Sequence, residues 1–330
     1  MTLKPSIFAL SLTILLSASA CKSPPTQANK GRANKGQANN SPTNKSPTFN
    51  SSTLTLTARA PLTVAIIGDY GDRNPAADDV AKMVASWRPQ VVATVGDNNY
   101  PAGAASTIDD NIGRRYSQFI KPYRGRHGAG SADVNRFFPS LGNHDWYTPG
   151  ARPYLEYFQL PGNERYYDVR IGQLHLFFVD SDRNEPDGVA SYSRQGRWLK
   201  GALKASQAPH RWVLFHHPPF NTGRHRPAHW MRWPFKEWGA TAVFSGHDHH
   251  YERLVVGGLT YIVTGHGGRH LYPASDEVAK GSVVRVFGRY GAVRARVDSN
   301  GAIVCESIAR DGAVLDRFTL PASPRAPSGG

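Results

Sequence analysis

The chain has 330 residues, 40% hydrophobic and 19% charged, a balance that suits a folded globular protein and excludes a wholly disordered or fibrous one. Its two cysteines, Cys21 and Cys305, allow one disulfide at most, which excludes a disulfide scaffold and a four-cysteine zinc site. The net charge of +14 is unevenly placed: residues 1–60 hold seven basic side chains and no acid, leaving +7 for residues 61–330, a surplus that suits an anionic substrate and needs no nucleic-acid partner.

Residues 1–20 read as an export signal peptide. Lys4 gives a positive start, an apolar run follows over residues 7–16, and small residues close it at Ala18-Ser19-Ala20. The run is too short for a comfortable membrane span. Cys21 directly after the small residues resembles the bacterial lipoprotein pattern, in which that cysteine is lipidated and becomes the mature N-terminus. Plain secretion is the alternative. The expected location is the bacterial periplasm or cell envelope, with lipid on Cys21 tethering the protein to a membrane; without the lipid the protein is secreted. Residues 21–60 are rich in Asn, Lys, Pro, Ser and Thr, with too little apolar content to offset chain entropy, so a disordered linker is expected. Cys305 sits in an apolar stretch and reads as a small buried hydrophobe.

Residues 61–320 are expected to form one α/β domain, followed by a disordered tail over 321–330. Residues 62–67 are a short β-branched run ending at Gly68, the mark of a buried strand. Asn74-Pro75 can open a helix, and Val80, Met83, Val84 and Trp87 then recur at helical spacing. A second buried strand covers 91–95 and ends at Gly96. A polar helix is expected over 109–120, then short strands at 137–141 and 174–179. Residues 195–205 read as a helix burying Trp198, Leu199, Ala202 and Leu203. Strands follow at 212–215, 242–244 and 261–263. Beyond residue 282 the pattern turns to short alternating strands, at 283–287, 292–297, 303–308 and 318–320.

Five of the buried strands run into polar loops bearing Asp, Asn or His. These are Gly68-Asp69-Tyr70-Gly71, Gly96-Asp97-Asn98-Asn99-Tyr100, Gly142-Asn143-His144-Asp145, His216-His217 and Gly246-His247-Asp248-His249-His250. In α/β sheets ligand sites gather at the carboxyl ends of strands, so these loops can converge on one centre. Oxygen and imidazole donors suit hard-to-borderline metal ions. One Gly-Asp pair after a strand is an ordinary turn; five such clusters in succession are not readily explained as turns.

In this order the five blocks resemble the calcineurin-like metallophosphoesterases, over roughly residues 62–265. Tyr100 at the end of the second block narrows the resemblance to purple acid phosphatases, and the short single domain to their small, tartrate-resistant type. The resemblance implies a four-layer α/β sandwich of two mixed sheets flanked by helices. It implies a binuclear metal centre, with Asp69, Tyr100 and His249 on Fe(III), Asn143, His216 and His247 on a divalent Fe, Zn or Mn ion, and Asp97 bridging. Tyrosinate is a hard anion that suits a trivalent ion; amide and imidazole suit a divalent one. Two ions about 3.5–4 Å apart clamp a phosphoryl group for in-line displacement by metal-bound hydroxide.

By the same resemblance His144 and His225 would assist the leaving group, work that suits imidazole, and Asp145 would orient His144. His217 is open between supporting the centre and packing; His229 and His250 take no role. Trp230, Trp233, Phe235 and Trp238 read as core packing, with a substrate mouth as the alternative. Arg224, Arg226 and Arg232 read either as phosphate ligands or as a solvated basic face. The expected activity is hydrolysis of small phosphate monoesters. The rivals are a Mn/Zn phosphodiesterase of the same superfamily, in which Tyr100 only packs, and a non-catalytic lipoprotein that binds phosphate esters.

Overall fold

The computed structural model describes residues 53–58, 61–128, 132–297 and 300–323. The export signal, Cys21, the linker before residue 53 and the tail from 324 lie outside them. The described residues all fall in one compact unit, Phe49–Gly330.

Fourteen strands in these residues make two mixed sheets. The eight-stranded sheet contains β1 (Leu54–Leu56), β5 (Tyr167–Ile171), β6 (Leu174–Phe178), β7 (His210–Leu214), β8 (Ala242–Ser245), β9 (Tyr251–Val256), β10 (Leu259–Thr264) and β11 (Ser282–Val286). Its order is β1-β5-β6-β7-β8-β10-β9-β11. The six-stranded sheet contains β2 (Leu62–Ile67), β3 (Val91–Thr94), β4 (Phe137–Pro139), β12 (Gly291–Val297), β13 (Ile303–Ala309) and β14 (Val314–Leu320). Its order is β14-β13-β12-β2-β3-β4.

The β-branched runs become central strands because both faces are covered. In β7, Trp212 and Leu214 point into the core between the sheets, while Val213 and the following Phe215 point into a second core. That period of two is the pleat itself. The second core holds Trp198, Leu199 and Leu203 of helix α2 (Arg194–Ala205) together with Trp233, Phe235 and Trp238. On the other side α1 (Pro75–Ser86) packs Val80, Met83 and Val84 against the six-stranded sheet. The layers are therefore helix, sheet, sheet, helix. Asn74 caps α1 as expected, its side chain accepting the Ala77 N–H at 3.0 Å, with Pro75 in the first turn. Cys305 is buried and free, as its apolar setting implied.

Three expectations need correction. Leu54–Leu56 lies within the span read as linker, yet it pairs in parallel with Val169–Ile171 as an edge strand. The helix expected at 109–120 starts at Ala105, and its middle turn, Asp109–Gly113, is a π-helix. Nor is that segment merely polar: Ile112, Tyr116 and Phe119 are buried. The alternation in β14 begins at Val314, four residues before the strand expected at 318.

Candidate metal centre

Parallel pairing decides where the polar loops go. β2, β3 and β4 run parallel, as do β6, β7, β8 and β10, so each sheet delivers its loops at one end. The two ends are stitched together across the core. Ser140 Oγ donates to the Leu214 carbonyl at 3.1 Å, and the His247 N–H donates to Asp69 Oδ2 at 2.9 Å. Three of the expected ligands carry left-handed backbone: Asp69 at φ 55°, Asp97 at φ 53° and His247 at φ 70°. Each such residue costs on the order of 1–3 kcal/mol and persists only where its surroundings hold it. Gly96, at φ 94°, precedes Asp97, and a Cβ there would lie 2.6 Å from His216 Nδ1. Only glycine lets that ring approach.

The seven expected ligands meet. Tyr100 Oη lies 3.1 Å from Asp69 Oδ1 and 3.3 Å from His249 Nε2, and these two are 3.3 Å apart. His216 Nε2 lies 3.1 Å from Asn143 Oδ1 and 3.2 Å from His247 Nδ1. Asp97 joins the trios: one oxygen is 2.8 Å from Tyr100 Oη, the other 3.3 Å from His216 Nε2. All seven are buried or nearly so except Asn143 and His247, which are partly exposed.

The chemistry of this donor set fits a cation. His216 Nδ1 donates to the Val95 carbonyl at 2.9 Å, and His249 Nδ1 to the His270 carbonyl at 2.7 Å. Those bonds fix the tautomer and turn a bare Nε2 lone pair inward, as carbonyls do for metal-binding histidines. Asn143 Nδ2 is occupied by Tyr147 Oη at 3.1 Å, so its Oδ1 also faces inward. Acceptors thus face acceptors.

Charge tells the same story. Burial opposes ionisation of His216, but the Asp97 carboxylate outweighs it and draws the imidazole up to about 10. An imidazolium there has one N–H to share among Asn143, His247 and Asp97; an ion satisfies all three. Burial also works against Asp97, yet His216 and His144 hold its carboxyl well below the usual range. Burial, then the neighbouring His217 and His216, keep His247 neutral, the form that can ligate. Burial together with Asp69 and Asp97 pushes the Tyr100 phenol up, and a cation among these groups acts in the opposite sense.

His144 and His225 flank the donors. The His144 N–H donates to Asp97 Oδ1 at 2.9 Å, its ring packs 4.3 Å from that of Tyr100, and its Nε2 is 3.9 Å from Asp97 Oδ2. His225 lies 4.2 Å, ring to ring, from His247, with Nε2 3.2 Å from Tyr272 Oη. His217 is buried beside the centre: its Nδ1 is 2.9 Å from Ser181 Oγ, and its ring is 4.6 Å from that of His247. His250 is buried against Phe287 and Glu252, and His229 is exposed on a 3-10 turn.

Asp145 does not orient His144. Its carboxylate accepts from the N–H groups of Gly142 and Asn98 and from Asn98 Nδ2, and it is the Pro101 carbonyl, 2.5 Å from Nδ1, that fixes the His144 ring. Trp233, Phe235 and Trp238 are core, whereas Trp230 lies at the edge under the Arg183 guanidinium. Arg232 is engaged structurally, donating to the Pro219 carbonyl and stacking on Phe220.

Sequence reasoning missed a sixth loop. After β10, residues 265–272 return to the centre: the Arg269 N–H donates to the Asp69 carbonyl at 2.8 Å, and the Arg269 guanidinium lies over the Tyr100 ring. His270 supplies the carbonyl that orients His249, and Tyr272 stacks on the His249 ring at 4.2 Å. The signal was present, because Thr264-Gly265 ends a buried strand just as Gly68 and Gly96 do.

The sequence profile of the calcineurin-like phosphoesterases matches residues 59–251, more than half of the chain. The chain belongs to that family. Among solved structures, this phosphoesterase resembles purple acid phosphatase PPD1 from yellow lupin (Lupinus luteus) seeds, at 18% identity and TM-score 0.66, over 81% of this chain and 55% of the lupin chain. It therefore spans about half the length of that enzyme. It also resembles GAP50, the anchor in the inner membrane complex of Plasmodium, at 18% identity and TM-score 0.63, over 81% of this chain and 90% of that one. At such identities the likeness is one of fold. No curated protein sequence matches the chain.

Proposed function

We propose that this phosphoesterase is a purple acid phosphatase-like monoesterase of the small type, with Asp69, Tyr100 and His249 holding Fe(III), Asn143, His216 and His247 holding divalent Fe, Zn or Mn, and Asp97 shared. The observation that carries this reading is Tyr100 Oη within 3.3 Å of Asp97, Asp69 and His249. A neutral phenol has one O–H for the two carboxylates and imidazole around it, whereas a tyrosinate on a shared ion would suit all three. Two metal ions held by these donors would supply charge neutralisation at the phosphoryl group and a lowered pKa for bound water. His144, packed on Tyr100, and His225, packed on His247, would hold the proton that the departing alkoxide takes. Ser181 and the Pro101 carbonyl orient His217 and His144 without touching substrate.

The test is hydrolysis of a chromogenic phosphate monoester and the matching diester across pH 4–9, with metal analysis. Monoester preference on the acid side, violet absorbance from tyrosinate–Fe(III) charge transfer, and loss of metal and turnover in Asp97→Asn or His247→Ala are expected. Diester preference without colour would demote Tyr100 to packing. Normal metal content and activity in Asp97→Asn would end the two-metal reading.

The proposal extends to location: an exported protein tethered through lipidated Cys21. No helix among the described residues is long and apolar enough to cross a membrane. Mass spectrometry of the mature N-terminus decides between acylated Cys21 and plain cleavage.

A further inference from the structure

A cavity of about 710 Å³ lies beside the donor set, a size typical of small-molecule sites. His225 belongs to both. Its ring is 4.2 Å from that of His247, and it lines the cavity wall. The loop that carries it is fixed from beneath, since Asp248 accepts the His225 N–H at 3.0 Å and Glu252 accepts the Thr222 N–H at 2.7 Å. The cavity then leads away from the centre. Its far wall includes Val255 and Val256 at the end of β9, a strand whose first residue follows His249 and His250. At about 3.3 Å per residue the far wall is roughly 15–20 Å from the donors.

Its lining is mixed in a particular way. Phe220, Val256 and Val278 are apolar, and Val255 and Val278 are left 43% and 58% exposed at the rim. Four basic side chains line it, Arg224, Arg226, Arg232 and Lys280; Arg232 is held on the Pro219 carbonyl and the Phe220 ring and Arg224 lies over the Tyr272 ring, while Arg226 and Lys280 are exposed. Glu277 is the one acid of the lining. Asn221 and Thr222 also line the cavity but are already bonded to Asp248 and Glu252, so a sugar or nucleoside would set some of its hydroxyls against Phe220 and the valines, at a cost for each polar group left unpaired there. An apolar chain with a negative end satisfies both halves of the lining.

We propose that this cavity receives the leaving alcohol, and that the substrates are phosphate monoesters of extended amphiphilic alcohols, an apolar chain ending in a second anion. This rests on the monoesterase reading for the chemistry. Water adds to phosphorus, the P–O bond to the chain breaks, and the alcohol leaves past His225 carrying one proton, with inorganic phosphate as the other product.

The test uses the full chain with its metals and ω-carboxyalkyl phosphates of two to ten carbons, below their micelle concentrations, against plain alkyl phosphates. KM should fall at least about tenfold across the series, since each buried methylene contributes, while kcat changes by less than about twofold. The double variant Arg226→Gln/Lys280→Gln should lose the preference for the carboxylate, and Val278→Asp, at a side chain 58% exposed, should flatten the chain-length dependence, each with an unchanged melting temperature. Independently of catalysis, ω-hydroxydecanoate titrated calorimetrically should bind at least fivefold more weakly to Val278→Asp. A flat KM series with active enzyme, or no binding of ω-hydroxydecanoate, overturns this inference. Turnover of diesters alone, with ω-hydroxydecanoate still bound, overturns the monoesterase reading and leaves the cavity's preference standing.

Discussion

His144 and His225 are the side chains whose roles separate by chemistry rather than by position. Both rings stand within packing distance of a donor residue, Tyr100 for one and His247 for the other. The Pro101 carbonyl occupies His144 Nδ1, so the ring nitrogen left toward the centre is Nε2, 3.9 Å from Asp97 Oδ2. In the proposed role that nitrogen hands a proton to the leaving oxygen, and general acids of this kind contribute about 10²–10⁴ in rate. The contribution is largest where the leaving alkoxide is basic. His144→Ala should therefore lower kcat on an alkyl phosphate by roughly 10²–10³ and on a nitrophenyl phosphate by less than about tenfold. Equal losses on both substrates, with metal content intact, would show that the His144 ring positions its neighbours, Tyr100 among them, rather than handing a proton to the leaving oxygen.

At the scale of elements, the strand at Leu54–Leu56 carries the clearest consequence. Its composition reads as linker because three residues between threonines and a polar tract cannot announce a partner. The partner, Val169–Ile171, lies more than a hundred residues away, and it is that pairing, together with half-burial of Leu54 and Leu56, that makes a strand. The strand covers an edge that would otherwise expose β5. A chain beginning at residue 61 should melt about 3–8 °C below one beginning at 53, the shift expected for the loss of about 1–3 kcal/mol in a domain of this size. Identical melting temperatures would mean that the pairing adds nothing.

The same logic marks what could be read from the chain and what could not. Buried strands with flanking glycine, such as Leu62–Ile67 and Val91–Thr94, were legible because burial on both faces writes an apolar run. The polar loops were legible because each follows a buried strand, and the seven donors within them because the five blocks resemble a known family. Asn98, which ties Tyr70, Ser140 and Asp145 together, and the loop from Gly265 to Tyr272 were not. The role of Asn98 is made by bonds between loops, for which a single chain read in order has no signal; the loop after β10 carries the strand-end mark at Thr264-Gly265, but its part is played by the Arg269 N–H, the His270 carbonyl and the Tyr272 ring, which no motif announces.

At the scale of the whole molecule, stability in acid turns on the seam between the two sheets. His266 follows β10 of the eight-stranded sheet, and its carbonyl accepts the Gly291 N–H of β12 at 2.9 Å. Its ring lies 3.3 Å from Ser307 Oγ of β13, in the six-stranded sheet, and 3.3 Å from Thr264 Oγ1. Neither hydroxyl compensates a charge. Burial, with His250 close by, pushes the imidazole down to about 3, whereas in an unfolded chain it titrates near 6.5. The folded pKa is the lower one, so between roughly pH 6.5 and 3 the unfolded state binds the extra proton. The stability that His266 contributes as a neutral ring is complete above about pH 6.5. It is lost as pH falls toward 3, at up to about 1.4 kcal/mol per pH unit. His266→Gln keeps a polar group at the seam and removes the titration. Urea unfolding of the two proteins at pH 7.5, 6, 5 and 4 should show the wild type losing stability faster on the acid side, and the gap between them narrowing or reversing. Parallel curves over that range would mean that the seam accommodates a protonated ring, and that acid lability arises elsewhere in the fold.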